Sequence, residues 1–181
     1  MLHENIMGDV LDAQNLSRAY RTVRRNKGAA GVDGMTTTQL GEHLRKHWPS
    51  IREKVAEGRY RPSPVKSVRI AKMGGGMRQL GIPTVLDRLI QQALSQSLTK
   101  IFDPQMSTHS YGYRPGRSAH DAIKAAQGYV QEGKDWVVDI DISAFFDHVN
   151  HDILMHRIGQ SIRDKAVLRL IGEYLRADMQ D

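Results

Sequence analysis

The sequence has no cysteine, which excludes disulfides and thiolate metal sites and fits a reducing compartment. It has no apolar run near the ~20 residues that cross a bilayer as a helix. The opening MLHENIMGDVLDAQNL carries Glu4, Asp9 and Asp12 and lacks the apolar core of a secretory signal. No internal repeat or low-complexity tract is visible, so a solenoid or a disordered linker is not indicated. These absences leave a folded protein without a membrane partner, expected in the cytoplasm.

Acidic residues are missing from two particular places. In residues 15–32 the charged side chains are Arg18, Arg21, Arg24, Arg25 and Lys27, and in residues 59–78 they are Arg59, Arg61, Lys66, Arg69, Lys72 and Arg78. A solvated surface normally mixes its signs. Two acid-free basic stretches in a chain of 181 residues with net charge +6 point to contact with phosphate. Hydrophobic residues make up 40% and charged residues 25%, the balance of a chain that buries a core.

Leu16, Ala19, Tyr20 and Val23 fall at i, i+3, i+4 and i+7, the stripe of an amphipathic helix, with Arg18, Arg21 and Arg25 together on another side. GAAGVDG (residues 28–34) follows, and its glycines permit positive φ and close approach of another backbone. A second amphipathic helix is expected over about residues 38–57. The β-branched, cation-rich run VKSVRIAK and the shorter RQLGIP, as two short strands around the Gly74-Gly75-Gly76 tip, predict a hairpin. Pro83 opens a strongly periodic helix over about residues 84–102, closed by Asp103-Pro104. Ser118 with Asp121 forms a capping-box-like start for a helix through about residue 131. Residues 136–142 (WVVDIDI) alternate with period two, as a strand does, and two helices close the chain. The order is that of an α+β protein.

Asp139 and Asp141 share one face of that expected strand, roughly 6.5–7 Å apart by the rise per residue. They are too far apart to grip one small ion easily, but one of them can bind Mg²⁺ with help from carbonyls and other carboxylates. On alternation alone the better reading is that both aspartates simply face water, because outward-facing carboxylates are common on one-sided sheets.

Longer stretches shift that balance. NLSRAYRTVRRNKGAAGVDGMT resembles the N-terminal extension of group II intron and other non-retroviral reverse transcriptases. YRPSPVKSVRIAKMGGGMRQLGIPTVLDRLIQQAL and FDPQMSTHSYGYRPGRSAHDAI resemble their two fingers blocks, and WVVDIDISAFFDHVNHDIL resembles palm motif A. The resemblance implies the helix-rich fingers, with a β-hairpin, and a partial palm of a truncated right-hand polymerase. Residues 1–130 would be extension and fingers, and residues 131–181 the start of the palm.

The same resemblance makes Asp141 the first catalytic, metal-binding aspartate of a two-Mg²⁺ site, with the Ile142 carbonyl beside it. Phe146 would exclude a 2′-hydroxyl from the nucleotide sugar. Lys72 and Arg78 would bind the triphosphate of the incoming dNTP. Lys66 stands where relatives often carry arginine, and Ile82 would touch the templating base or the nucleotide. The loop with Gly28 and Gly31 would lie near the template, and Arg18, Arg21, Arg25 and Lys27, with Arg114 and Arg117 from the block between fingers and palm, would contact the RNA.

The later Gly-x-Pro-Gln-Gly and Tyr-x-Asp-Asp motifs do not occur before Asp181. Polymerisation by this chain alone is therefore not expected. The partners implied are intron RNA, template-primer and dNTP, and an unpaired strand edge would favour a homodimer. Two other functions compete: a non-catalytic RNA-binding module, and a palm-fold nucleotide cyclase. The second echoes Asp139, Asp141, Phe145 and Asn150 only loosely and lacks that family's Gly-Gly-Asp/Glu-Glu-Phe signature.

Overall fold

The structure is a computed structural model that describes residues 2–71 and 74–180. Lys72, one of the expected triphosphate-binding cations, lies outside the described residues. The chain forms two compact units, Met1–Ser97 with Asn150–Asp181, and Leu98–Val149.

The first unit holds α1 (Ile6–Val10), α2 (Ala13–Arg25), α3 (Leu40–Ala56), β1 (Val65–Ala71), β2 (Met77–Ile82) and most of α4 (Val85–Phe102). From the C-terminal side it takes α6 (His151–Gly159), α7 (Lys165–Leu175) and β3 (Met179–Gln180). Asp12 caps α2 by accepting from the amides of Gln14 at 2.9 Å and Asn15 at 3.1 Å. Val10, Ala19, Leu40, Val55, Val85, Leu89, Ile162 and Leu170 are buried in this unit. Each of the Val, Leu and Ile side chains removed from water contributes about 1.5–3 kcal/mol before the cost of ordering the chain is counted.

Asn15 is buried with them, and donates to the carbonyls of Val10 at 3.1 Å and Ala93 at 3.0 Å. It thereby fixes α2 to α4. Asp164 joins the chain's two ends. One carboxylate oxygen caps α7 through the amides of Ala166 and Val167, and the other accepts from the Met7 amide at 2.8 Å.

The sheet runs β2-β1-β3. β1 and β2 form the expected antiparallel hairpin, with Lys66 opposite Ile82, Val68 opposite Leu80 and Ile70 opposite Arg78. β3 pairs in parallel with the start of β1 and covers part of its other edge, a pairing that the sequence reading does not contain.

The second unit contains the end of α4 and α5 (Ala119–Gln131). The capping box at Ser118 and Asp121 is present. No described residue of this unit is fully buried.

The expected strand over residues 136–142 is not formed. The segment finds no neighbouring strand among the described residues, and Trp136 is 96% and Ile140 83% exposed. The physical reason is that period-two patterning prepares a face, whereas a strand exists only through ladder hydrogen bonds and a core to cover that face.

Candidate nucleotide and RNA site

Residues directly opposite in an antiparallel pair share a face, and alternate residues along each strand do the same. The register therefore puts Lys66, Arg78 and Ile82 on one face of the hairpin, with Val68 and Leu80 between them. Lys66 and Arg78 are exposed, and neither forms an ion pair among the described residues. Three of the residues expected at the nucleotide thus share one face, with Lys66 and Ile82 at one end and Arg78 at the other, while Arg69 lies on the opposite face.

The hairpin's root is held by a buried carboxylate. Asp87, 1% exposed in the first turn of α4, accepts from the Tyr60 hydroxyl at 2.8 Å and the Thr84 hydroxyl at 2.6 Å. It also accepts from the Ser63 amide at 3.1 Å and the Tyr174 hydroxyl at 3.2 Å. Tyr60 and Ser63 precede β1, so the strand leaves from a pinned segment. Burial, and then the Asp87 charge, push both tyrosine hydroxyls well above their ordinary ionisation range. Sequence reading missed this cluster. Thr84-x-x-Asp87 carries the same capping signal that was read at Ser118, and an acid inside the apolar stripe of α4 was a second sign.

The glycine loop sits against the same turn of α4. A Cβ on Gly31 would lie 2.7 Å from the backbone N and Cα of Thr84, so only glycine allows this approach. Gly28 packs on the Arg88 guanidinium, which donates to the Ala29 carbonyl at 2.5 Å. Gly34 takes φ +67°. On α2 and just beyond it, Arg18, Arg21, Arg24, Arg25 and Lys27 are exposed, and none is in an ion pair among the described residues.

In the second unit, Arg114 is turned inward. Its guanidinium pairs with Asp103 at 2.7 Å and donates to the carbonyls of Asp103, Ser107 and Ser110, leaving the side chain 8% exposed. The Arg114 hydrogen bond holds the Asp103 carboxyl below the ordinary carboxylate range. Arg117 donates to the Thr108 carbonyl and lies over the Tyr111 ring, 5.3 Å from its centroid. Both arginines organise the loop they belong to.

Asp139, Asp141 and Asp147 are exposed. Between Asp141 and Phe146 the chain turns through Ala144, at φ 48° and ψ 41°, into a single 3-10 turn over Phe145–His148. The Phe145 and Phe146 rings meet edge-on at 5.3 Å, and Phe146 is 81% exposed. Among the described residues no three His, Cys, Asp or Glu side chains are grouped to hold a metal. The Asp141 carboxylate and the Ile142 carbonyl suit Mg²⁺ as hard oxygen donors, but not in number.

Residues 70–180 match the family described as reverse transcriptase (RNA-dependent DNA polymerase). The chain is 34% identical over 168 residues to protein YkfC of Escherichia coli, covering 90% of this chain and 44% of that protein. It is 36% identical over 163 residues to the group II intron-encoded protein LtrA of Lactococcus lactis, covering 88% and 26% respectively. It is also 32% identical over 94 residues to nuclear intron maturase 1 of Arabidopsis thaliana, covering 52% and 13%. The chain thus spans less than half the length of these relatives.

In fold it resembles a chain of the partial Cas6-RT-Cas1–Cas2 complex, with a TM-score of 0.60, 22% identity, and coverage of 97% of this chain and 28% of that one. That likeness agrees with the α+β, helix-rich fingers and partial palm expected from the sequence. No helix among the described residues is long and apolar enough to cross a membrane. With a family match over more than half its length, the chain belongs to the reverse transcriptase family.

Proposed function

We propose that the chain supplies the extension, the fingers and the opening of the palm of a group II intron-type RNA-directed DNA polymerase. Residues 1–130 would form the first two parts and residues 131–181 the third. The observation that carries this proposal is the family match, which begins in β1 and ends in β3 and so includes both Arg78 and Asp141. Arg18, Arg21, Arg25 and Lys27, with the Gly28 and Gly31 loop, hold intron or template RNA. Arg114 and Arg117 shape the adjoining loop.

Arg78 and Lys72, together with Lys66, offset the charge of the dNTP triphosphate, while Ile82 meets the templating base or the nucleotide. Asp141 and the Ile142 carbonyl would hold Mg²⁺, which in such enzymes activates the 3′-hydroxyl and stabilises the leaving pyrophosphate. Phe146 leaves room for hydrogen and none for a 2′-hydroxyl. The remaining metal-binding carboxylates must come from outside these residues, so this chain alone binds RNA and dNTP without polymerising. Its work is cytoplasmic, and the exposed segment 136–142 makes self-association at high concentration part of the proposal.

Titration of a labelled structured RNA tests the RNA contacts. Four phosphate contacts would give a log–log salt slope of about −3 to −4, on the order of a 100-fold loss of affinity from 50 to 200 mM salt. Replacing Arg18, Arg21 and Arg25 by alanine would make that slope shallower by about 2–3. An affinity that stays flat with salt contradicts the proposal. A module that binds RNA without chemistry would use the same cations, and the two functions part at the hairpin. Only the polymerase needs Arg78→Ala to weaken dNTP binding.

A further inference from the structure

An open concavity of about 520 Å³ lies between α2, α3 and α4, and the nucleotide assignments above do not use it. Leu16 and Tyr20 of α2, Leu44, Arg45 and Trp48 of α3, and the buried Leu89 of α4 line it. Tyr20 leans on α3 because Gly41 has no side chain: a Cβ there would lie 2.7 Å from the Tyr20 hydroxyl. Arg24, one helical turn further on, sits 5.9 Å from the Tyr20 ring centroid. The volume is within the ~300–1,000 Å³ usual for small-molecule sites and exceeds what one flat heterocycle fills.

We propose that this concavity receives an unstacked base of single-stranded RNA, held beside Tyr20 and Trp48, with its flanking phosphates on Arg24 and Arg45. Aromatic faces accept any base through its π-surface, and arginine adds both charge and stacking. The choice of RNA over a peptide rests on charge complementarity. Arg18, Arg21 and Arg25, further round α2, also lack ion-pair partners among the described residues, and so many unpaired cations on one helix suit a polyanion rather than one acidic side chain. The inference rests on the RNA-binding role proposed above and adds the site and the chemistry of recognition.

The chain has two tryptophans, and Trp136 is 96% exposed, so Trp136→Phe leaves Trp48 as the single reporter in an intact fold. Labelled oligouridylate is titrated while anisotropy and Trp48 emission are followed together, with inorganic polyphosphate as a polyanion without bases. The expected result is that RNA quenches Trp48 in step with binding and polyphosphate binds without quenching. Tyr20→Ala then weakens RNA binding by about 5- to 100-fold at unchanged salt slope.

Salt-dependent RNA binding with Trp48 silent, or equal quenching by polyphosphate, overturns the base site and leaves the RNA-binding proposal standing. Quenching by an acidic amphipathic peptide and not by RNA overturns it in favour of a protein partner. RNA that does not bind at all overturns both proposals.

Discussion

The Tyr60 hydroxyl donates a 2.8 Å hydrogen bond to the Asp87 carboxylate, and both residues are buried where the hairpin root meets the first turn of α4. Because Thr84, Ser63 and Tyr174 donate to the same carboxylate, removing it strands several donors at once. Asp87→Ala is expected to cost about 3 kcal/mol or more. Tyr60→Phe should cost about 1.5–3 kcal/mol, as expected for a bond to a charged group. Tyr174→Phe should cost less, since its bond is longer at 3.2 Å. Denaturant midpoints give the order, and equal costs for the two tyrosines would contradict it.

The same cluster predicts a pH response. Burial and the Asp87 charge raise both tyrosine hydroxyls above the usual value of 10.0. The folded state therefore keeps protons that the unfolded chain releases. The contribution is complete below about pH 10 and is lost as pH rises from there towards the folded values. Thermal melts across pH 8 to 11 should show stability falling above about 10, with a shallower fall when both tyrosines are phenylalanine.

Gly31 and Gly28 separate two kinds of crowding. A side chain at Gly31 meets the Thr84 backbone, which cannot step aside, so Gly31→Ala should destabilise by about 1–3 kcal/mol. At Gly28 the obstacle is the end of the Arg88 side chain, which can swing away, so Gly28→Ala should cost less than about 1 kcal/mol. Chemical denaturation of the two variants decides, and the reverse order would contradict the Thr84 backbone as the harder obstacle.

Arg114 should act on its own loop before it acts on RNA. Lysine lacks the planar fork that reaches Asp103, Ser107 and Ser110 together. Arg114→Lys is expected to lower hydrogen-exchange protection over residues 103–117 and leave the RNA salt slope nearly unchanged. The Asp103 carboxyl is depressed below 3.8 by its Arg114 hydrogen bond. The pair's contribution is therefore complete above that value and is lost as pH falls through the folded one. A slope that drops by a full phosphate contact would return Arg114 to the RNA.

What was legible in the sequence was what local chemistry decides. The stripe of α2, the helix expected over residues 38–57 and found at Leu40–Ala56, the Ser118 capping box and the glycine-tipped hairpin all carry their signals within a few residues. Two features depend on distant partners and were not legible. Met179 and Gln180 pair with Val65 and Lys66, which nothing in either segment announces. Residues 136–142 show strand alternation, yet among the described residues no neighbour completes a ladder. At the site, the exposed cations and Asp141 were marked by family motifs, whereas the capping signal at Asp87 told of a helix start and not of Tyr60, Ser63 and Tyr174, which reach it from distant segments.

The central assignment is Asp141 as a polymerase metal ligand. Its most direct test is primer extension in Mg²⁺ by the polypeptide continued through the rest of the palm, with Asp141→Ala compared against the unchanged sequence at equal RNA occupancy. Extension is expected to be abolished while RNA affinity and its salt slope are preserved. Undiminished extension by the alanine variant would contradict the assignment.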